Sequence, residues 1–157
     1  MSTRKPLARF LPDDEATERL GATLAPALKP GDVIALQGDL GMGKSALARA
    51  IIRTLADDLS LEVPSPTFIL VQSYALNLPV HHFDLYRLSD ESELEELGLA
   101  EAMTNGLVLI EWPERAPDVF DKAIHITLRE EGDGRLAEIA VPHQAYARIA
   151  EALAASG

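Results

Sequence analysis

The residues with the clearest chemical meaning lie in the glycine-rich segment from Gly38 to Ser45. Its sequence, Gly-Asp-Leu-Gly-Met-Gly-Lys-Ser, matches the phosphate-binding pattern G-x-x-x-x-G-K-[ST] at every fixed position. Glycines let the backbone curl so that its N–H groups surround phosphate oxygens, and the positive end of a following helix adds to the attraction. The segment therefore predicts a site for a nucleoside triphosphate, and the alternative is a glycine-rich turn that binds nothing.

Two side chains of this loop have separate predicted roles. Lys44 is expected to bridge the β- and γ-phosphates, and the Ser45 hydroxyl is expected to ligate Mg²⁺. The predicted nucleotide-binding residues of the loop and the helix start are Gly41, Met42, Gly43, Lys44, Ser45 and Ala46.

Two carboxylates at predicted strand ends are candidates to complete a catalytic set with Lys44. Glu111 follows the apolar run 107–110, and a carboxylate at such a strand end often holds Mg²⁺ directly or through water. The alternative is that Glu111 only marks the point where the strand leaves the core. Asp84 is predicted to position the attacking water or to bind a Mg²⁺-bound water. An ion pair between Asp84 and Arg87 at the strand end is an equally compatible interpretation.

The segment Ser65-Pro66-Thr67 lies between the helix after the loop and the next predicted strand. A mobile loop at this place could bring a hydroxyl near the γ-phosphate and Mg²⁺, as switch segments do. The pattern alone favours an ordinary proline turn.

Strands and helices that could position these residues alternate along the chain. Short apolar runs bounded by turn residues are typical of buried strands, and apolar residues three and four apart are typical of helices. Predicted strands are 33–36, 68–71, 80–83, 107–110, 123–128 and 136–141. Predicted helices start near Leu11-Pro12-Asp13 and after Gly43, form a pair within 88–103 broken near Gly98, and close the chain at 146–155. The expected fold is α/β and P-loop NTPase-like, with a mainly parallel sheet flanked by helices and an antiparallel hairpin near the C-terminus.

Composition sets limits on the class of protein. The chain of 157 residues shows no composition break, so one domain over 1–157, which carries the phosphate loop, is expected. It has no cysteine, which excludes disulfides, thiolate zinc sites and a cysteine nucleophile. The net charge of −11 makes tight nucleic-acid binding by this chain alone a poor expectation. Without a long apolar run or a secretory signal, we expect no membrane partner and a cytoplasmic location.

Taken together, the motifs resemble those of the TsaE (YjeE) family, small P-loop ATPases of bacterial tRNA threonylcarbamoyladenosine (t6A) synthesis. The similarity extends over most of the chain in the family's order and spacing. Its motifs are Leu11-Pro12-Asp13, the phosphate loop, Ser65-Pro-Thr-Phe68, His82-Phe-Asp-Leu-Tyr-Arg87, Glu96-Leu-Gly98 and Leu109-Ile-Glu-Trp-Pro-Glu114.

This resemblance implies ATP and Mg²⁺ as cofactors, with the metal held by Ser45 and Glu111. It also implies that the segment around Asp14 borders the adenine and that Arg135, in the late hairpin, approaches the nucleotide. Ser45 stands where the family more often has Thr. Met42 replaces the commoner Ala, and its side chain should point away from the phosphates.

The implied partners are TsaB-like and TsaD-like proteins. In the family, the TsaD protein transfers a threonylcarbamoyl group to the adenosine next to the tRNA anticodon, and the ATPase supports repeated turnover. Contact with tRNA is therefore expected to be indirect, through the complex. The sequence indicates no arginine that would contact the γ-phosphate. Because such an arginine accelerates phosphoryl transfer, hydrolysis without partners should be slow. Two alternatives are a small-molecule kinase and a nucleotide-gated binding module that rarely hydrolyses ATP.

Overall fold

A computed structural model describes residues 7–156 and joins seven strands into one sheet flanked by five helices. The strands are β1 (Leu7–Leu11), β2 (Val33–Gln37), β3 (Val71–Tyr74), β4 (Val80–Asp84), β5 (Leu107–Glu111), β6 (Ile124–Glu131) and β7 (Gly134–Ala140). The helices are α1 (Asp14–Leu24), α2 (Lys44–Ala56), α3 (Ser92–Glu96), α4 (Leu99–Asn105) and α5 (His143–Ala155). The ends of the expected 1–157 domain, residues 1–6 and 157, lie outside the described residues.

The sheet has a parallel centre and antiparallel edges. Its strand order is β1-β7-β6-β2-β5-β4-β3, and the pairs β6–β2, β2–β5 and β5–β4 are parallel. The hairpin β6–β7, the pair β1–β7 and the pair β3–β4 are antiparallel. This arrangement confirms the expected α/β fold and its C-terminal hairpin.

Both faces of the central strands are covered, which is why their sequences are continuously apolar. Along β5, Leu107 and Leu109 join the core under α1, α2 and α5, whereas Val108 and Ile110 join the core under α3 and α4. Because side chains alternate along a strand, Glu111 falls on the α2 side. By the same alternation, His82 and Asp84 of β4 share that side with Val80. Three polar residues of the candidate site are thus directed toward the helix that follows the phosphate loop.

The strand predicted at 68–71 is wrong, since the chain turns there and β3 begins only at Val71. The Leu70 N–H donates to the Pro66 carbonyl over 2.7 Å, and Leu70 takes a left-handed conformation with φ of 70°. Phe68 and Ile69 are 79% and 58% exposed. The run of apolar residues is typical of a strand, but here these side chains lie on the surface of a turn.

Strand β1 was not predicted at all, because its stability comes from pairing with β7 at the far end of the chain. The helix predicted to start near 11–13 begins at Asp14. Asp13 caps α1 by accepting from the Ala16 N–H over 2.8 Å. The pair of helices broken at Gly98 is confirmed. Helix α5 begins three residues earlier than predicted, directly after Pro142.

Helices α1 and α2 touch at Gly21, which fixes the position of the helix that carries Lys44 and Ser45. A Cβ atom on Gly21 would lie 2.6 Å from Cβ of Ala50 and 3.1 Å from the backbone nitrogen of Ile51. Only glycine fits this approach.

None of the described helices is long and apolar enough to cross a membrane.

We predict that Gly21→Ala lowers the free energy of unfolding by about 1–2 kcal/mol, measured by urea denaturation. Alanine favours an isolated helix by about 1 kcal/mol over glycine, so the loss would reflect the crowding against Ala50. In the double variant with Ala50→Gly, the combined loss should be smaller than the sum of the single losses. A stabilised Gly21→Ala protein would contradict the close packing of the two helices.

Candidate functional site

A cavity of about 500 Å³ opens at the carboxyl ends of the parallel strands, where the phosphate loop, α1 and the β6–β7 hairpin meet. This is the edge of a parallel sheet at which α/β proteins usually bind ligands. Of the residues predicted for the site, those that line the cavity are Asp14, Gly41, Gly43, Lys44, Ser45, Ala46, Asp84, Glu111 and Arg135.

Met42 is the predicted site residue that does not line this cavity. Its side chain packs against the hydrophobic core and borders a smaller adjoining cavity. Its N–H donates to the Asp39 carbonyl over 3.2 Å, which closes a turn within the loop.

Glycine is required at two positions of the phosphate loop. Gly38 has a φ of 150°, and a Cβ atom there would lie 2.6 Å from the Leu128 carbonyl oxygen. Gly43 has a φ of 103°, and a Cβ atom there would lie 2.8 Å from Nη1 of Arg135. The loop therefore passes close to the hairpin and then enters α2 directly at Lys44.

Lys44 is almost completely buried, with 5% of its surface exposed. Its ammonium group donates to the Gly38 carbonyl and lies 3.7 Å from the centroid of the Trp112 ring. Burial lowers the pKa of Lys44, and the negative charges of Glu111, Glu114 and other acids partly oppose that shift. The lysine charge is thus held by a carbonyl dipole and an aromatic face, both of which a phosphate group could replace.

The carboxylate of Glu111 lies between a helix and a neighbouring strand. The Ser45 hydroxyl donates to Oε1 over 2.8 Å, and the His82 ring contacts Oε2 through Nε2 at 2.6 Å. Only 2% of Glu111 is exposed, so β5 is still inside the protein at this residue. A hydroxyl beside a carboxylate is a set of oxygen donors that suits Mg²⁺.

Asp84 lies beside Glu111 in the register of β4 and β5. Its Oδ2 accepts from the Thr67 hydroxyl over 2.9 Å and its Oδ1 accepts from the Tyr86 N–H over 3.0 Å. Among the described ion pairs, none joins Asp84 to Arg87. The Arg87 guanidinium instead lies 4.6 Å from the centroid of the Phe68 ring.

The segment 65–67 reaches the cavity, which its sequence pattern did not favour. Ser65 and Thr67 line the cavity, and their hydroxyl oxygens are 2.7 Å apart. Because the Thr67 hydroxyl also donates to Asp84, this segment is connected to the carboxylate at the end of β4.

Opposite that segment, Asp14 and Arg135 meet across the loop. Nη1 of Arg135 lies 3.2 Å from Oδ1 of Asp14, which connects the start of α1 to β7. Arg49 also lines the cavity but was not predicted. Its position four residues after Ser45 on α2 was the available signal, since such residues share a helix face.

The hydrogen bond between His82 and Glu111 was not predicted either. The alternation of side chains along a strand puts His82 and Asp84 on one face, but it does not show that β4 lies beside β5. Tyr86 and Trp112 complete the wall near Lys44, with ring centroids 4.9 Å apart. The arrangement provides a cation and glycine-rich backbone for phosphates, and oxygen donors for a divalent cation.

Comparison with known proteins identifies sequences that are similar to most of this chain. The family model described as "Threonylcarbamoyl adenosine biosynthesis protein TsaE" matches residues 11–137. Proteins named "tRNA threonylcarbamoyladenosine biosynthesis protein TsaE" are similar to this chain. The one from Nostoc sp. is 38% identical over 136 residues, covering 83% of each chain. The one from Synechocystis sp. is 42% identical over 115 residues, covering 70% of this chain and 72% of the relative.

A protein of the same name from Rickettsia conorii is 45% identical over 105 residues. That alignment covers 66% of this chain and 59% of the relative, so this chain spans less than two thirds of the relative's length. A crystal structure of Bacillus subtilis YdiB aligns over 99% of both chains with a TM-score of 0.79 and 24% identity, which shows a shared fold.

We predict that Lys44→Ala weakens ATP binding about ten- to hundredfold, measured by titration calorimetry. Hydrogen bonds to charged groups contribute about 1.5–3 kcal/mol, and Lys44 is the buried cation at the helix end. The matched control is Lys122→Ala, an exposed lysine just before β6 at the opposite edge of the sheet. Equal affinities in the wild type and Lys44→Ala would contradict the phosphate-loop assignment.

Proposed function

This chain belongs to the TsaE family, and from that premise we propose that it binds and hydrolyses ATP in the synthesis of t6A in tRNA. The observation that carries the proposal is the meeting of Lys44, Ser45, Asp84 and Glu111 in one cavity at the carboxyl ends of β4 and β5. These side chains supply a phosphate-binding cation, a hydroxyl and two carboxylates, as P-loop hydrolysis of ATP requires.

Phosphate binding begins with an exchange of partners at Lys44. Its ammonium group leaves the Gly38 carbonyl and the Trp112 ring for the β- and γ-phosphate oxygens. The N–H groups of the loop and the start of α2 add further hydrogen bonds to the phosphates. Because the lysine is already buried in the loop, little side-chain freedom is lost on binding. Asp14 and Arg135, on the opposite wall, are the proposed contacts to the rest of the nucleotide.

Ser45 and Glu111 are the proposed holders of Mg²⁺, which when bound would neutralise charge that develops on the phosphates. The 2.8 Å contact between the Ser45 hydroxyl and Oε1 of Glu111 brings both donors to one point. Their positions are set by the first turn of α2 and by the end of β5.

Asp84 is the proposed group for orienting the attacking water, and in this structure each of its oxygens accepts one hydrogen bond. Thr67 donates to Oδ2, so movement of the 65–67 segment would remove a donor that competes with water for that atom. Next to that segment, Phe68 and Ile69 are exposed and available to a partner protein. Partner contact and water positioning would thereby be linked through a single turn.

We propose that TsaB-like and TsaD-like proteins are the partners and that ATP hydrolysis supports their repeated turnover. The net charge of −11 disfavours direct binding of tRNA, so tRNA contact would be indirect. A role on tRNA would place the protein in the cytoplasm. Arg87 and Arg115 lie over the rings of Phe68 and Tyr86, so neither is directed at a phosphate here. Arg49 and Arg135 line the cavity, and Arg135 pairs with Asp14. We propose that hydrolysis without partners is slow.

For the metal site, Glu111→Gln should raise the Mg²⁺ concentration needed for half-maximal ATP hydrolysis by about tenfold or more. An amide keeps the shape of the carboxylate but removes its charge, which is the main attraction for Mg²⁺. ATP binding in EDTA, followed by the emission of Trp112, should stay within about twofold of the wild type.

The matched control is Glu151→Gln, an exposed glutamate of α5 that does not line the cavity. Equal losses with and without Mg²⁺ in Glu111→Gln would indicate a structural carboxylate and contradict the metal role.

For the partners, steady-state ATPase assays with a TsaB–TsaD pair titrated in should show stimulation of at least about fivefold. In Asp84→Ala the stimulated rate should be lost while ATP affinity is retained, because Asp84 acts on water rather than on the nucleotide. Asp118→Ala, at an exposed aspartate, serves as the control. A wild-type rate that saturating partners leave unchanged would reject the partner-driven function, and phosphate appearing on an added acceptor would identify a kinase.

A further inference from the structure

His82 is a buried histidine whose ring contacts the carboxylate at the centre of the proposed site. It lies in the middle of β4, is 1% exposed, and brings Nε2 to within 2.6 Å of Oε2 of Glu111. An ionised carboxylate can only accept hydrogen bonds. With Glu111 in the carboxylate form that would hold Mg²⁺, the donor in this contact is therefore the Nε2–H group of His82.

The other ring nitrogen of His82 has no hydrogen-bond partner among the described residues. A polar atom left unpaired inside a protein is destabilising, and an apolar side chain of similar size would avoid that cost. Within the described part of the chain, the contact with Glu111 is thus the one polar interaction that accounts for a histidine at this buried position.

The two oxygens of Glu111 are divided between two partners. His82 holds Oε2 from the sheet side, and Ser45 holds Oε1 from α2. A carboxylate at the end of a long side chain could otherwise rotate about its last bond, since that torsion is broad in glutamate. With Oε2 fixed by the ring, Oε1 is directed toward the hydroxyl at the start of the helix.

We propose that His82 is a positioning residue that holds Glu111 in the orientation needed to bind Mg²⁺ together with Ser45. The inference rests on the proposed metal role of Ser45 and Glu111, and it assigns to His82 no contact with nucleotide or metal. Outer hydrogen bonds of this kind fix the direction of a metal ligand, and their removal commonly reduces metal affinity about ten- to hundredfold.

The adjacent residue His81 provides a matched control. Its side chain lies on the opposite face of β4, where Nδ1 is 2.8 Å from the Ser73 hydroxyl and Nε2 is 3.0 Å from the Asn105 side-chain oxygen. His81 therefore shares the residue type, the strand and a hydrogen-bonded ring with His82, but not the contact with Glu111.

The test is a Mg²⁺ titration at saturating ADP, which follows metal binding without hydrolysis. The emission of Trp112 or calorimetry reports the midpoint, and thermal unfolding reports whether each variant is folded. In His82→Leu the Mg²⁺ midpoint should rise about tenfold or more, while ADP binding in EDTA stays within about twofold. In His82→Gln, whose side-chain amide can donate from nearly the same place, the midpoint should stay within about threefold. In His81→Leu it should not change.

The outcomes separate this inference from the proposed function. A normal wild-type response to Mg²⁺ that a folded His82→Leu leaves unchanged overturns the role of His82 alone. Equal impairment of His82→Gln and His82→Leu, at equal stability, also overturns it. A wild-type protein that binds ADP with no response to Mg²⁺ overturns the metal role of Glu111, and the inference with it.

A second measurement uses the wild-type protein and does not depend on the folding of any variant. Nitrogen-15 NMR of the histidine rings should show His82 with a proton on Nε2. Its Nε2–H signal should shift when Mg²⁺ is added to the ADP complex. A proton on Nδ1 instead would mean that the ring cannot donate to Glu111, and would overturn the inference.

Discussion

Burial of the Glu111 carboxylate is the constraint on which the arrangement of this site depends. A carboxylate inside a protein is costly unless each oxygen has a donor, and here the donors come from two other elements. Ser45 supplies one from the start of α2, and His82 supplies the other from the middle of β4. One side chain thus ties together the helix after the phosphate loop and two neighbouring strands of the parallel sheet.

The positive charge of Lys44 is also buried and also depends on nearby partners. Lys44 cannot remain buried without partners, and the loop carbonyl of Gly38 together with the Trp112 ring provides them. Neither partner matches a phosphate anion in strength, because both are only partial charges. The site therefore holds its cation in place with interactions that are weak enough to be exchanged for a ligand. Gly38 and Gly43 make this possible by letting the loop pass close to the hairpin.

Asp84, the second carboxylate of the site, is connected to the protein surface through a short turn. Asp84 is held by Thr67, and the same turn presents Phe68 and Ile69 to solvent. Leu70 closes the turn in a left-handed conformation, which leucine adopts only where its surroundings compensate for the strain. The exposed part of this turn is therefore connected to Asp84 by a hydrogen bond from Thr67. The proposed dependence of hydrolysis on partner proteins would use this connection.

The phosphate loop and the α/β fold could be predicted from the sequence because their requirements are local. Glycine at positive φ, lysine and serine at a helix start, and apolar runs of strand length each act within a few residues. The carboxylate of Glu111 could be predicted from the same kind of pattern, as an acid that ends a buried strand. Only the tertiary structure decided which residues lie against these groups. Strand β1 depends on β7, Asp84 bonds Thr67 instead of Arg87, and Asp14 meets Arg135 across 121 positions of the chain. His82 meets Glu111 because β4 and β5 are neighbours in the sheet, a pairing that depends on the packing of the whole chain and that no local pattern encodes.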